Sequence, residues 1–156
     1  MHKRLMIAAV ILGLGLFSVG CAPWAATWAG VQSDRTVVGS PQLLWDDVLA
    51  RYANQRATDL AANNPYSGNV LAQQYNQETG YTWRICELLV SDRTLALQTD
   101  PNYAKNVMAH SSLYISCAME PLFDRAAIGL AYSQDGSLFY EVLWLVESSA
   151  FPASGR

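Results

Sequence analysis

The chain has 156 residues, half of them apolar and 15% charged. That length predicts a single domain, since independent cores take ~100–200 residues. A net charge of −3 and a pI of about 5.2 argue against nucleic acid as a partner, because displacing counterions from phosphates needs a basic stripe. The chain lacks low-complexity tracts, repeats and a second long apolar run, which sets aside disorder, a solenoid and a multi-pass membrane protein.

In chain order, Met1 to Arg4 is a short basic start, and Leu5 to Phe17 is a greasy run of 13 residues, shorter than the ~20 that a spanning helix needs. Ser18-Val19-Gly20 then supplies small residues directly before Cys21. Together these read as an export signal over residues 1–20, removed in the mature chain. Residues 21–40 follow as a tether, small and polar apart from Trp24 and Trp28. The two indoles suit either the headgroup level of a bilayer or docking on the domain.

Ser40-Pro41 reads as a hydroxyl N-cap followed by proline at the first helical position. Leu44, Trp45, Val48, Leu49, Tyr52, Ala53, Ala57, Leu60 and Ala61 recur at helical spacing, up to the stop at Asn63-Asn64-Pro65. Val70 to Glu78 forms a shorter helix ending at Gly80. Tyr81 to Val90, rich in aromatic and branched residues, reads as a strand. Asp100-Pro101 restarts helix, with Tyr103, Val107, Met108 and Ser111 near one face. Ala126–Tyr132 and Leu138–Val146 flank Gln134-Asp135-Gly136-Ser137, a hairpin signal, since such a turn needs residues that accept positive φ. The last strand is apolar on both faces apart from Glu141, so both faces must be covered. The fold expected is therefore α+β, a three-layer α-β-α sandwich with a small, mainly antiparallel sheet. It occupies residues 41–147, and residues 148–156 form a loose tail.

Cysteine use fits export. With Cys21 set apart, Cys86 and Cys117 remain either as a disulfide in an oxidising compartment or as two buried thiols. A bridge adds on the order of 3–4 kcal/mol on the chain-entropy model.

The Ser-Val-Gly-Cys21 segment resembles the lipobox of bacterial lipoproteins, with Ser18 where leucine is usual. That resemblance implies signal removal, acylation of Cys21 and a membrane partner reached through lipid. Ala22, where inner-membrane lipoproteins often carry Asp, implies an outer-membrane anchor facing the periplasm. Without residues 1–20 the chain has 8 basic and 13 acidic side chains, net −5, so lipid rather than charge must hold it at the membrane.

The order of elements resembles the CAP superfamily (cysteine-rich secretory proteins, antigen 5 and pathogenesis-related 1) of bacterial type. Leu43, Trp45, Leu49, Ala53 and Ala57 match its opening helix, and GYTWRICELL its Gly-Glu-Asn segment, with Glu87 as the glutamate. AAIGLAYSQDGSLFYEVLWLV matches its closing hairpin. The resemblance covers about Leu43 to Val146 and implies the same sandwich. The family's cleft holds two histidines and acidic residues around zinc. Here Pro65-Tyr66-Ser67-Gly68 stands where the first histidine is usual, Leu113 or Tyr114 where the second is, and Cys86 and Leu88 flank Glu87. His110 is the only histidine after the signal, and zinc needs three or four converging ligands, so neither metal nor another cofactor is expected.

Glu87 reads either as a surviving cleft carboxylate or as a core glutamate paired with an arginine, such as Arg84 or Arg93, or bonded to a helix end. His110 beside Ser111 and Ser112 lacks the geometry of a nucleophile and its base, since neighbours on a helix diverge. Tyr66, Tyr75, Tyr81, Trp83, Tyr103 and Tyr114 are either core or groove, the groove candidates being Tyr66, Glu87, His110 and Tyr114. The function expected is an exported, membrane-anchored binding module for a protein, lipid or cell-wall partner, without catalysis. The alternatives are a hydrolase-like enzyme using Glu87 and His110, or a structural subunit of an envelope assembly.

Overall fold

The computed structural model describes residues 22–80 and 84–147. The expected export segment, Cys21, Tyr81 to Trp83 and the expected tail from Ser148 lie outside the described residues.

The segment expected to be a tether is a helix, α1 (Pro23–Val38). What fixes it is Arg35, whose side chain is fully buried. A buried cation must find acceptors, and this one finds four carbonyls. Nε donates to Pro41 O at 2.6 Å, Nη1 to Ala118 O at 2.6 Å and Glu120 O at 3.2 Å, and Nη2 to Phe123 O at 2.9 Å. The far end of α1 is thereby locked to residues about 85 positions away, and α1 belongs to the domain.

The next helix starts later than Ser40-Pro41 suggests. A two-residue strand, β1 (Leu44–Trp45), comes first, because Leu44 N–H bonds to Asp124 O and Asp46 N–H to Ala126 O. Helix α2 (Asp47–Ala61) then begins behind Asp46, whose carboxylate accepts from Leu49 N–H at 2.9 Å. Helix α3 (Ser67–Thr79) ends at Gly80 as expected. The edge strand β2 (Arg84–Arg93), short helices α4 (Thr94–Thr99) and α5 (Tyr103–Ala109), and a π-helical turn (Tyr114–Ala118) follow. The chain closes on β3 (Arg125–Tyr132) and β4 (Leu138–Glu147). In their turn Gly136 has φ +70°, and Asp135 accepts from Ser133 and Ser137.

The sheet order is β1-β3-β4-β2, with β1 parallel to β3 and the other pairs antiparallel. Each face is covered, as the doubly apolar β4 requires. On one face α2 and α3 bury Leu49, Ala53, Ala57, Leu71 and Tyr75 against Ala127, Val142, Trp144 and Val146. On the other, α1, α4, α5, the π-turn and the loop after it bury Val31, Leu97, Met108, Tyr114 and Phe123 against Leu88, Val90, Ile128, Phe139, Leu143 and Leu145. Each such large side chain contributes about 1.5–3 kcal/mol when fully buried. Disulfide Cys86–Cys117, with Cα atoms 6.3 Å apart, ties β2 to the π-turn on this second face.

Gly129 sets the height of α2. A Cβ there would lie 2.0 Å from Ala53 O, so only glycine lets the helix backbone rest on β3. The close seat brings the next turn of α2, with Arg56, down onto the sheet.

Candidate functional site

Arg56 follows Leu49 by seven residues and therefore shares its sheet-facing stripe. Its side chain is 8% exposed and that of Glu87 is 29% exposed. Glu87 lies on β2 directly opposite Trp144 of β4, on the same sheet face as α2. Arg56 Nε donates to Glu87 Oε2 at 3.0 Å and Nη2 to Oε1 at 3.1 Å, a two-pronged pair. Trp144 Nε1 donates to the same Oε2 at 2.7 Å. Arg56 Nη1 reaches the loop before α3, donating to Pro65 O at 2.8 Å and Ser67 Oγ at 3.2 Å. Gly68 leaves room for this, since a Cβ would stand 3.2 Å from Arg56 Nε. Around the pair opens a pocket of about 350 Å³ whose walls include Tyr66, Asn69, Ala72 and Ile85. Tyr66 is 86% exposed and stands at its rim.

The chemistry available here is limited. Glu87 Oε2 is taken by two donors and Oε1 by one, which leaves a single acceptor position toward the pocket. Among the described residues lining the pocket there is no histidine, cysteine or second carboxylate.

The structure brings Tyr66 and Glu87 together but sets His110 and Tyr114 apart from them. His110 follows α5 on the opposite layer, exposed, with Nδ1 2.6 Å from Asn106 O. Tyr114 is buried in that layer and donates to Asp34 Oδ2 at 2.6 Å. Burial and that bond raise its phenol above the ordinary range. Tyr75 is equally buried, donating to Asp46 Oδ2, and Tyr103 donates to Asp92. Of the aromatic groove candidates, only Tyr66 among the described residues fronts the pocket; Tyr81 and Trp83 lie outside them. The partner of Glu87 is neither Arg84, which pairs with Glu147 at the strand end, nor Arg93. It is Arg56, which sequence reasoning misses although its place in the stripe of Leu49 and Ala53 is a visible signal.

No family model and no curated protein sequence matches the chain. Its backbone does have counterparts among solved structures. An outer surface protein from Borrelia burgdorferi superposes with a TM-score of 0.62 at 15% identity, over 80% of this chain and 92% of that one. A cysteine-rich secretory protein from Staphylococcus aureus superposes with a TM-score of 0.58 at 13% identity, over 81% of this chain and 39% of that one. The fold is CAP-like. At these identities the likeness establishes the fold alone.

Against the zinc cleft that a CAP-like fold implies, the donor set here does not fit. The cation facing Glu87 is the guanidinium of Arg56, and the loop that carries the family's first histidine supplies Tyr66 and Ser67. Among the described residues no three His, Cys, Asp or Glu side chains converge.

Proposed function

We propose that the chain is an exported lipoprotein, anchored through Cys21, whose CAP-like domain recognises an envelope partner without transforming it. The observation that carries the binding half is the Arg56–Glu87–Trp144 cluster. It consumes the carboxylate structurally and leaves an open pocket with one acceptor position on Glu87 and an exposed aromatic rim at Tyr66. A partner group with an apolar face and a hydroxyl or amine donor suits that pocket. The sequence of residues 1–21 supports the anchor, and the likeness to an outer surface protein and a secretory protein agrees with export. Anchoring confines the domain near its partner and offsets a weak contact.

The test uses the full chain made in a bacterium that processes lipoproteins. Cys21 is expected to carry acyl chains by mass spectrometry, and Cys21→Ser to leave the membrane fraction. Isolated envelope fragments are expected to retain the acyl-free domain and to lose most of that retention with Tyr66→Ala. Equal retention of Tyr66→Ala, or a hydrolytic turnover abolished by Glu87→Gln, contradicts the binding reading. Unmodified Cys21 contradicts the anchor.

A further inference from the structure

Helix α1 starts at Pro23, two positions after Cys21. Cys21 is joined to this helix through Ala22 alone, so acyl chains on Cys21 would be fastened next to the domain. The end of α1 so fastened has a distinctive make-up. Ala22 to Gly30 carries no charged side chain, and the first on the helix are Asp34 and Arg35. The stretch from Pro23 to Gly30 spans roughly 10 Å, comparable to the ~5–10 Å depth at which interfacial segments sit.

Three indoles gather at this end. Trp24 stacks on Trp45 with centroids 5.2 Å apart, and Trp28 meets Trp45 edge-on at 5.2 Å. All three are half-buried. Trp45 Nε1 donates to Asp47, but the N–H groups of Trp24 and Trp28 have no acceptor among the described residues. An indole with an apolar body, a partly open face and an unused donor suits the lipid interface, where ester carbonyls are available.

We propose that the Trp24–Trp28–Trp45 cluster is the face on which the domain rests on a phospholipid bilayer, with Trp24 and Trp28 donating to lipid carbonyls. This rests on the lipoprotein reading and adds an orientation to it. The domain lies directly against the lipid, α1 N-terminus down. Since the chain without residues 1–20 has a net charge of −5, the contact is apolar and hydrogen-bonded rather than electrostatic. It therefore forms on neutral lipid and withstands salt.

The acylated full chain, reconstituted in phosphatidylcholine vesicles brominated on acyl carbons near the headgroup, tests this. Its tryptophan emission is expected to fall relative to unbrominated vesicles, at low and high salt alike. Trp24→Phe/Trp28→Phe, checked for an unchanged near-ultraviolet spectrum from its remaining aromatics, is expected to lose most of that quenching. If the acyl chains are present by mass and the wild type is not quenched, the domain stands off the bilayer; the inference fails without recourse to any variant, and the lipoprotein reading survives. Equal quenching of wild type and variant places another surface on the lipid and also overturns the inference. An unmodified Cys21 removes the lipoprotein reading and this orientation with it.

Discussion

Two glutamates on the neighbouring strands β2 and β4, one on each face of the sheet, meet opposite fates. Glu87, under α2, is gripped by Arg56 and Trp144. Glu141, under α1 and α5, is fully buried, and neither oxygen has a hydrogen-bond partner among the described residues. Burial raises its carboxyl from about 4.5 to about 7. The hydroxyl of Thr27, itself unpartnered, lies close enough to oppose that shift but outside hydrogen-bonding geometry. The same residue type in the same sheet is thus a structural anion on one face and close to a neutral acid on the other. The difference lies in what surrounds each carboxylate: an arginine from α2 and an indole N–H from β4 for Glu87, an unbonded threonine hydroxyl from α1 for Glu141.

The contrast can be broken from the α1 side by cutting its crosslink. Reducing Cys86–Cys117, 31 residues apart, is expected to cost about 3 kcal/mol, read by urea unfolding with and without reductant. Hydrogen exchange should rise first in α5 and the π-turn while α2 and α3 stay protected. A Cys86→Ala/Cys117→Ala chain should show no response to reductant.

Removing the orphan carboxylate sharpens the comparison. Between about pH 4.5 and 7, native Glu141 holds a proton that the unfolded chain has released. Its contribution is therefore best at acid pH, declines as pH rises through that window, and is flat above it, with a swing of up to about 3 kcal/mol. Glu141→Gln should flatten this part of the stability–pH curve and be more stable than wild type at about pH 8. A curve unchanged by the substitution contradicts the assignment.

On the α2 side, Arg56→Met strips Glu87 of its cation and leaves it only the Trp144 N–H, a step toward the state of Glu141. Breaking a buried pair costs about 3–5 kcal/mol, and the partial exposure of Glu87 reduces this to about 2 kcal/mol. Smallest of all, Tyr66→Ala should change stability by less than about 0.5 kcal/mol, since the ring is 86% exposed.

How much of this is legible in the sequence also differs between the faces. The β3–β4 hairpin can be read because Asp135-Gly136 sits between two apolar runs and the side-chain pattern of β4 demands two covering layers. α3 can be read from its spacing and its stop at Gly80. α1 cannot. Its alanines and small polar residues carry little amphipathic signal, and its stability comes from Arg35 reaching carbonyls at positions 118, 120 and 123, contacts that no local window contains. The start of α2 is hidden for a related reason: Ser40-Pro41 has the right local chemistry for a cap, but β3 captures Leu44 and Asp46 first. At the site, Glu87 stands out as a motif residue. Arg56 does not, because a charged side chain on an amphipathic helix ordinarily belongs to the wet face, although counting seven from Leu49 puts it on the dry one.

Whether Glu87 is a structural anion is tested most directly by a double-mutant cycle of Arg56→Met and Glu87→Gln, followed by urea unfolding near neutral pH. If Arg56 exists to neutralise Glu87, the double variant recovers much of what Arg56→Met alone loses, with a coupling of about 1–2 kcal/mol. Losses that simply add would mean that the two side chains act independently. Glu87 would then be free for the pocket, and the case for recognition in place of chemistry would lose its foundation.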